Sequence, residues 1–566
     1  MTKRIFSLTL AAFVAVILFA SCSKKTNKEG RYIPSTAGVV VHVNGESLHA
    51  KLPWEEIKQN DAFKKMIADT SVSSFTKSLL ENPENSGVNT KGDIILFVVK
   101  DTTGGYTAVE GTIKDEAKFK TMLTSALKNG KETVKDGFTY FADEKTSVAY
   151  NKEKFIVAIN TPEVNDLQKT VSNAMDTTAQ MDIPEVKNTR DMNAVAAGIL
   201  TLKEDASLAK NEKFSRLMAE KGDAHFWLNA QYFSPTEALS GIGAMANLSK
   251  LYDGAITTAT VNFENGKINL DAKSYAGKEM TDLYKKYSGK DFDKSMVKNI
   301  PSKNLGGLFA FNFKPEGVKE FLKLLNMDGL VNLGAAQAGF NLDDFVKANK
   351  GDILIAVTDV RQDSITGQAA DFIFAASIND KPSFNKIIDA GKKFGGRLVV
   401  GSTDEAKYSY NANDKYFVFT NNKTVTDTYI AGTANTSFDF LDKISGGPFG
   451  GFVNFQFIFN NMKPKVTADS LDVETYNASV KMWDNLLISG GNFKDGGITQ
   501  HWEVNMMDKN TNSLKQLNNY LGVMSIIQEK KKAKNNVAWM SDDVMAPVAM
   551  DTAMMVEAMK EVPAKK

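Results

Sequence analysis

Apolar positions along the chain fall into short unbroken runs and into stripes of helical period, and the two kinds follow one another in clusters. Ile94 to Val99 is a continuous apolar run of strand length. Thr102-Thr103-Gly104-Gly105 supplies turn chemistry after it, and Tyr106 to Ile113 reads as the returning strand. Phe119, Met122, Leu123, Ala126 and Leu127 then recur on one face of a helix, which Asn129-Gly130 ends. Phe155 to Ile159 is a further strand after the turn at Asn151-Lys152-Glu153. The same order returns later. Strands over Ile353 to Thr358 and Phe372 to Ile378 precede a helix opened by Asp380 and Pro382, with Phe384, Ile387 and Ile388 on one face. Another strand follows over Tyr416 to Phe419. Two aromatic runs, Phe226 to Phe233 and Phe452 to Phe459, read as strands buried on both faces. Asn265-Gly266 and Asp495-Gly496 read as hairpin turns.

These echoes extend to residue identity. Lys91-Gly92-Asp93-Ile94 recurs as Lys350-Gly351-Asp352-Ile353. Ile33-Pro34-Ser35, leading into Val39 to Asn44, recurs as Ile300-Pro301-Ser302, leading into Leu308 to Asn312. Asn262-Phe263-Glu264-Asn265-Gly266 is echoed by Asn492-Phe493-Lys494-Asp495-Gly496. All three matches keep their order, so the body reads as a tandem duplication. Copy 1 is expected over residues 31–296, divided near 190, and copy 2 over 297–525, divided near 445, giving about four subdomains. Hairpin-helix clusters, in place of strict strand-helix alternation, predict an α+β fold of antiparallel sheets with packed helices. After Ser525 a charged run, Glu529 to Lys534, leads into a segment rich in Met, Ala and Lys; residues 526–566 are expected to be a disordered tail.

Before the body, Lys3 and Arg4 precede an uncharged stretch from Ile5 to Ala20, the layout of a secretory signal. It is shorter than the ~20 residues that span hydrocarbon comfortably, which favours cleavage. Ser21 and Cys22 follow, and Cys22 is the chain's single cysteine. Leu18-Phe19-Ala20-Ser21-Cys22 resembles the lipobox of bacterial lipoproteins, with Phe19 where leucine is usual. The resemblance implies a signal peptide over 1–21, cleavage between Ser21 and Cys22, and acylation of the Cys22 thiol. Residues 22–30 then form an acylated cysteine and a polar tether, and two or more acyl chains give stable anchoring. With no aspartate after Cys22, lipoprotein sorting rules imply the outer membrane, and the missing acidic export run favours its periplasmic side.

Charge changes the picture mainly by exclusion. Lys and Arg total 68 against 67 acidic residues, a net charge of +1, which leaves no basic excess for nucleic acid. No Walker lysine loop, G-x-S-x-G elbow, H-E-x-x-H or C-x-x-C motif occurs. The histidines, at 42, 49, 225 and 501, are too scattered in sequence to propose a metal site. Asp93 and Asp352 occupy equivalent places and read as turn residues entering buried strands. His42 has no counterpart in the second copy and reads as a strand residue. Gly446-Gly447-Pro448-Phe449-Gly450-Gly451 reads as a bend. No catalytic, cofactor-binding or metal-ligating residue is assigned, and no cofactor is expected.

The lipobox, the Ile33-Pro34-Ser35 opening and the duplicated Lys-Gly-Asp strand together resemble large envelope lipoproteins of Bacteroidota that carry only a domain-of-unknown-function label, the 4836 type. That resemblance covers nearly all the mature chain and implies an address without an activity. The expected function is a membrane-anchored, non-enzymatic binding or scaffolding protein, held by acyl chains on Cys22, with an envelope protein or glycan as partner. A glycan-binding or hydrolytic module using a cleft between the copies is the alternative. A periplasmic assembly helper for outer-membrane proteins is a third.

Overall fold

Five residues of alternating burial, Val39–Val43, form β1. They are the first strand of a computed structural model that describes residues 28–69, 74–101, 104–127, 130–143, 145–161, 190–233, 247–363, 367–398, 408–462 and 469–540. After β1 the first half continues through helices α1 (Gly45–Lys51) and α2 (Asp61–Ala68) to β2 (Ile94–Asp101) and β3 (Gly104–Thr112). Helix α3 (Glu116–Ala126), strands β4 (Lys131–Lys135), β5 (Phe138–Ala142), β6 (Thr146–Tyr150) and β7 (Lys154–Thr161) come next. Helices α4 (Met192–Leu200) and α5 (Glu212–Ala219) then lead to β8 (Ala224–Asn229), β9 (Ile256–Glu264) and β10 (Lys267–Tyr275).

The second half repeats this plan. It runs β11 (Gly307–Asn312), β12 (Asn349–Asp363), β13 (Gly367–Ile378), α6 (Lys381–Leu398), β14 (Ser409–Ala412), β15 (Tyr416–Thr420), α7 (Lys423–Ala431) and β16 (Phe449–Asn454). Helices α8 (Phe455–Asn461) and α9 (Ser470–Met482), strands β17 (Trp483–Lys494) and β18 (Gly497–Met506) and helix α10 (Ser513–Met540) complete it.

All eighteen strands among the described residues join one antiparallel sheet. From the pairings its first half reads β4-β5-β6-β7-β3-β2-β1-β8-β9-β10. Its second half reads β18-β17-β16-β11-β12-β13-β15-β14. The halves meet where β10 pairs with β18, with Asp271 opposite His501 at the middle of the ladder. Equivalent strands therefore stand in mirrored order about that seam, as a local twofold requires. The α+β class with antiparallel sheets is what the residue pattern predicts. Positions 190 and 445 divide the chain without dividing the sheet, because β1 lies between β2 and β8 and β11 between β12 and β16.

Two cores share one side of the sheet. In the first half Val40, Ile95, Phe97, Ala108, Ile156 and Trp227 meet residues of α4 and α5. The Trp227 indole sits edge-on to Phe214 at 5.7 Å, a favoured aromatic geometry. In the second half Leu308, Leu354, Ile373, Val418 and Phe452 meet Val425 and Tyr429 of α7. On the opposite side α3 covers one end through Phe119 and Leu123, and α6 covers the other through Phe384, Ile387 and Ile388.

Three expectations change. The aromatic run Phe226 to Phe233 leaves its strand at Asn229 and turns as a 3-10 helix over Ala230–Phe233. Its counterpart leaves β16 at Asn454, so Phe455, Phe457 and Phe459 lie on α8 and not on a strand. Asn454 causes the switch: its side chain accepts the Phe457 amide at 3.0 Å as an N-cap. The boundary at 525 is likewise no break, since α10 runs through it to Met540. Lys530 and Lys531 reach Glu474 and Asp472 at 3.0 and 2.8 Å, so part of the charged run pairs with α9 while Ile527 is buried. Residues 541–566 lie outside the described residues.

Candidate functional site

One row of side chains, read strand by strand on the core side, shows where the two halves part company. In the first half it runs Glu110, Ile95, His42, His225, Thr260, Asp271. In the second the same register gives Ala375, Leu354, Ala310, Gly450, Ser489, His501. Opposite the first half's Glu110, His42 and His225 the second half has Ala375, Ala310 and Gly450, so the buried polar side chains of this row belong to the first half.

His42 and His225 are both buried and face each other across β1 and β8, Nδ1 to Nδ1, at 3.0 Å. The far nitrogen of each has its own partner. His225 Nε2 lies 3.0 Å from the Glu220 carbonyl oxygen, so it is the donor there. That leaves His225 Nδ1 as acceptor when the ring is neutral, and the proton between the rings belongs to His42. His42 Nε2 stands 3.2 Å from Oδ2 of Asp93, within ion-pair range but off the line of a straight hydrogen bond. The His42 ring beside it holds the Asp93 carboxyl below its usual range. Burial pushes the His225 ring down, against the pull of the Glu220 carbonyl. A carboxylate, two imidazoles and a backbone carbonyl thus form one chain, with Asp93 half-exposed at its outer end.

Beside it Asp223, almost fully buried, anchors the walls. It accepts from Ser47 Oγ at 2.5 Å, Lys51 Nζ at 2.6 Å and the Phe263 amide at 2.6 Å. Helix α1 is aimed at this carboxylate because Asn44 caps it, accepting the Ser47 amide at 2.9 Å. Glu220 accepts from Thr260 Oγ1 at 2.5 Å. Together these groups border a polar cavity of about 360 Å³, into which both histidines, Lys51 and Asp93 face.

Asp352 is the counterpart of Asp93. It is buried and accepts from Asn312 Nδ2 at 2.8 Å and the Asp293 amide at 3.1 Å, as a turn residue would. Asp93 adds the histidine contact to that role. Gly446 adopts a φ of +95° ahead of β16, consistent with a bend. Ser21 and Cys22 lie outside the described residues. The missed feature is the histidine pair: 183 residues separate its members, and only the failure of His42 to match Ala310 hinted at it. Among the described residues no group of three His, Cys, Asp or Glu is placed to hold a metal ion.

A second surface lies on the sheet's other side. Phe226 and Leu228 of β8, Phe309 of β11, Ile355 and Val357 of β12 and Ile159 of β7 all point there. They are 38–45% exposed, between the ends that α3 and α6 cover.

The family model described as Domain of unknown function (DUF4836) matches residues 30–426, ending inside α7. None of the curated proteins compared matches the chain. Two solved structures of TP0453 are similar to part of it. Crystal form I shows 11% identity and a TM-score of 0.22 over 45% of this chain and 81% of that one. Crystal form III shows 10% identity and 0.23 over 48% and 90%.

Proposed function

For a chain that belongs to the family described as Domain of unknown function (DUF4836), whose description names no activity, we propose the role of a membrane-anchored envelope lipoprotein that binds another envelope protein and catalyses nothing itself. The anchor is the Cys22 thiol, acylated after cleavage behind Ser21, and the body stands on the periplasmic side of the outer membrane. Among the described residues no helix is long and apolar enough to cross a membrane, which suits a body held by acyl chains.

The observation that carries the binding role is the row of exposed Phe, Leu, Ile and Val side chains on the sheet's outer face, drawn from both halves. Apolar groups gathered on one face of a protein mark a contact surface. The alternative of a cleft between the copies loses ground because the seam is a ladder of paired strands. Phe455, an aromatic ring of the kind a sugar would stack on, packs edge-on against Trp483 at 6.4 Å.

Metabolic palmitate labelling tests the anchor: label is expected on the wild type and lost in Cys22→Ala, and equal labelling removes it. Cross-linking in detergent-solubilised envelopes tests the surface. Phe226→Lys with Ile355→Lys is expected to lose a cross-linked protein band that Val134→Lys, at an exposed edge position, retains. A band pattern identical in all three proteins sinks the binding surface while leaving the anchor standing.

A further inference from the structure

We infer that His42 and His225 form a divalent transition-metal site, best suited to Cu²⁺, a feature independent of the binding surface above. Two imidazole nitrogens 3.0 Å apart share either a proton or a metal ion. With metal–nitrogen bonds of ~2.0–2.1 Å, that separation subtends roughly 95° at the metal, whereas a tetrahedral angle needs about 3.3 Å. The pair is therefore pre-set for two neighbouring corners of a tetragonal site, the geometry of Cu²⁺ or Ni²⁺, and the order of divalent affinities favours copper.

The surroundings argue the same way. A ligating histidine usually gives its other nitrogen's hydrogen to a carboxylate or a backbone carbonyl, which orients the ring and raises its basicity. Both forms occur here: Asp93 stands 3.2 Å behind His42, and the Glu220 carbonyl 3.0 Å behind His225. The second half of the sheet, with Ala310 and Gly450 in register, lacks both rings and retains the fold, so folding this architecture does not require the pair. With no third His, Cys, Asp or Glu in place among the described residues, the protein supplies two ligands. The remaining corners fall to water or to a small donor molecule in the 360 Å³ cavity. Binding puts the metal where the shared hydrogen lies between the rings, and that hydrogen moves to His42 Nε2, facing Asp93, or leaves to solvent.

The test uses the full chain in detergent, stripped with chelator and titrated with CuCl₂ alone at pH 7.5. One equivalent is expected to bind with an electron-paramagnetic-resonance spectrum showing two equatorial nitrogens. His42→Gln and His225→Gln are each expected to weaken binding at least tenfold, and Asp93→Asn about tenfold or more, while His49→Gln and His501→Gln leave it unchanged. Circular dichroism confirms that each variant is folded, and an unfolded variant is replaced by Ala or Gly, the residues its second-half counterpart uses. Absence of stoichiometric copper, or binding in the His42 and His225 variants equal to wild type, overturns the site and leaves a pair that shares only a proton.

Discussion

Glu110 stands in the same row as the histidines, on the core side of β3, where the second half has Ala375. Burial pushes its carboxyl up to about 7, against the pull of Lys154, and its Oε2 has no hydrogen-bond partner. A carboxyl whose folded pKa exceeds its unfolded one binds more protons when folded. Its contribution is therefore full below the unfolded value near 4.5 and lost as pH rises to about 7. Glu110→Gln removes that dependence. Urea unfolding is expected to show the variant more stable than wild type by roughly 2–3 kcal/mol at pH 8, and by much less at pH 5; a constant difference across that range refutes the assignment. Asp223 makes the opposite case, a buried carboxylate fully met by donors. Asp223→Ala strands Lys51 and the Phe263 amide and is expected to cost about 3 kcal/mol in the same assay, with Lys51→Met costing less. Neither role was legible in sequence. Glu110 and Asp223 are two among 67 acidic residues, and their environments depend on strand neighbours far away in the chain.

Elements were far more legible than their partners. The periodicity at Phe119 and Leu123 and at Phe384 and Ile387 marks α3 and α6 because a stripe of that spacing has one way to be buried. The Asp495-Gly496 turn follows from local chemistry alone: both residues take positive φ, +50° and +83°, in a two-residue hairpin. Phe455 to Phe459 misled because apolar composition does not distinguish a buried strand from a short helix, and the deciding residue was the capping Asn454. The charged run after Ser525 misled because lysines on a helix face look like a solvated tail until the acids of α9 are seen opposite them. Helix α10 is also clamped to α2 and to the short helix before it, Trp54–Gln59: Nδ2 of Asn60, the α2 N-cap, donates to the Asn518 carbonyl at 2.7 Å, and Lys515 meets Glu56 of that short helix at 2.5 Å. At the crossing, a β-carbon on Gly522 would strike the Asn60 amide, which is already held as the cap of α2. Gly522→Val is expected to lower stability by about 1–3 kcal/mol and to speed amide exchange over 61–68; unchanged exchange there removes α10 as the clamp.

At the scale of the whole molecule the seam decides how the halves depend on each other. Residues 267–275 of β10 pair with 497–505 of β18 about a centre at Asp271 and His501, whose Oδ1 and Nδ1 lie 2.7 Å apart. The Asp271 carboxylate raises the His501 pKa, so the contact gains charge assistance as pH falls. Each half alone would bare a long edge strand, a ready template for pairing with another chain. Because the seam is a local twofold, a β10 edge could in principle meet a second β10 in the same register, but that sets Asp271 against Asp271. Like charges directly opposite are unfavourable, whereas the mixed pair recovers the Asp–His contact and the docking of α10 on α2. Fragments 28–296 and 297–540, made separately and mixed, are therefore expected to form a one-to-one complex in preference to either self-pair, as read by light scattering on gel filtration. Asp271→His in the first fragment, which replaces the attractive pair by two histidines, is expected to weaken that complex more at pH 5.5 than at pH 8. Fragments that stay monomeric when mixed, or that pair with themselves as readily as with each other, would show that the seam holds no preference for its partner.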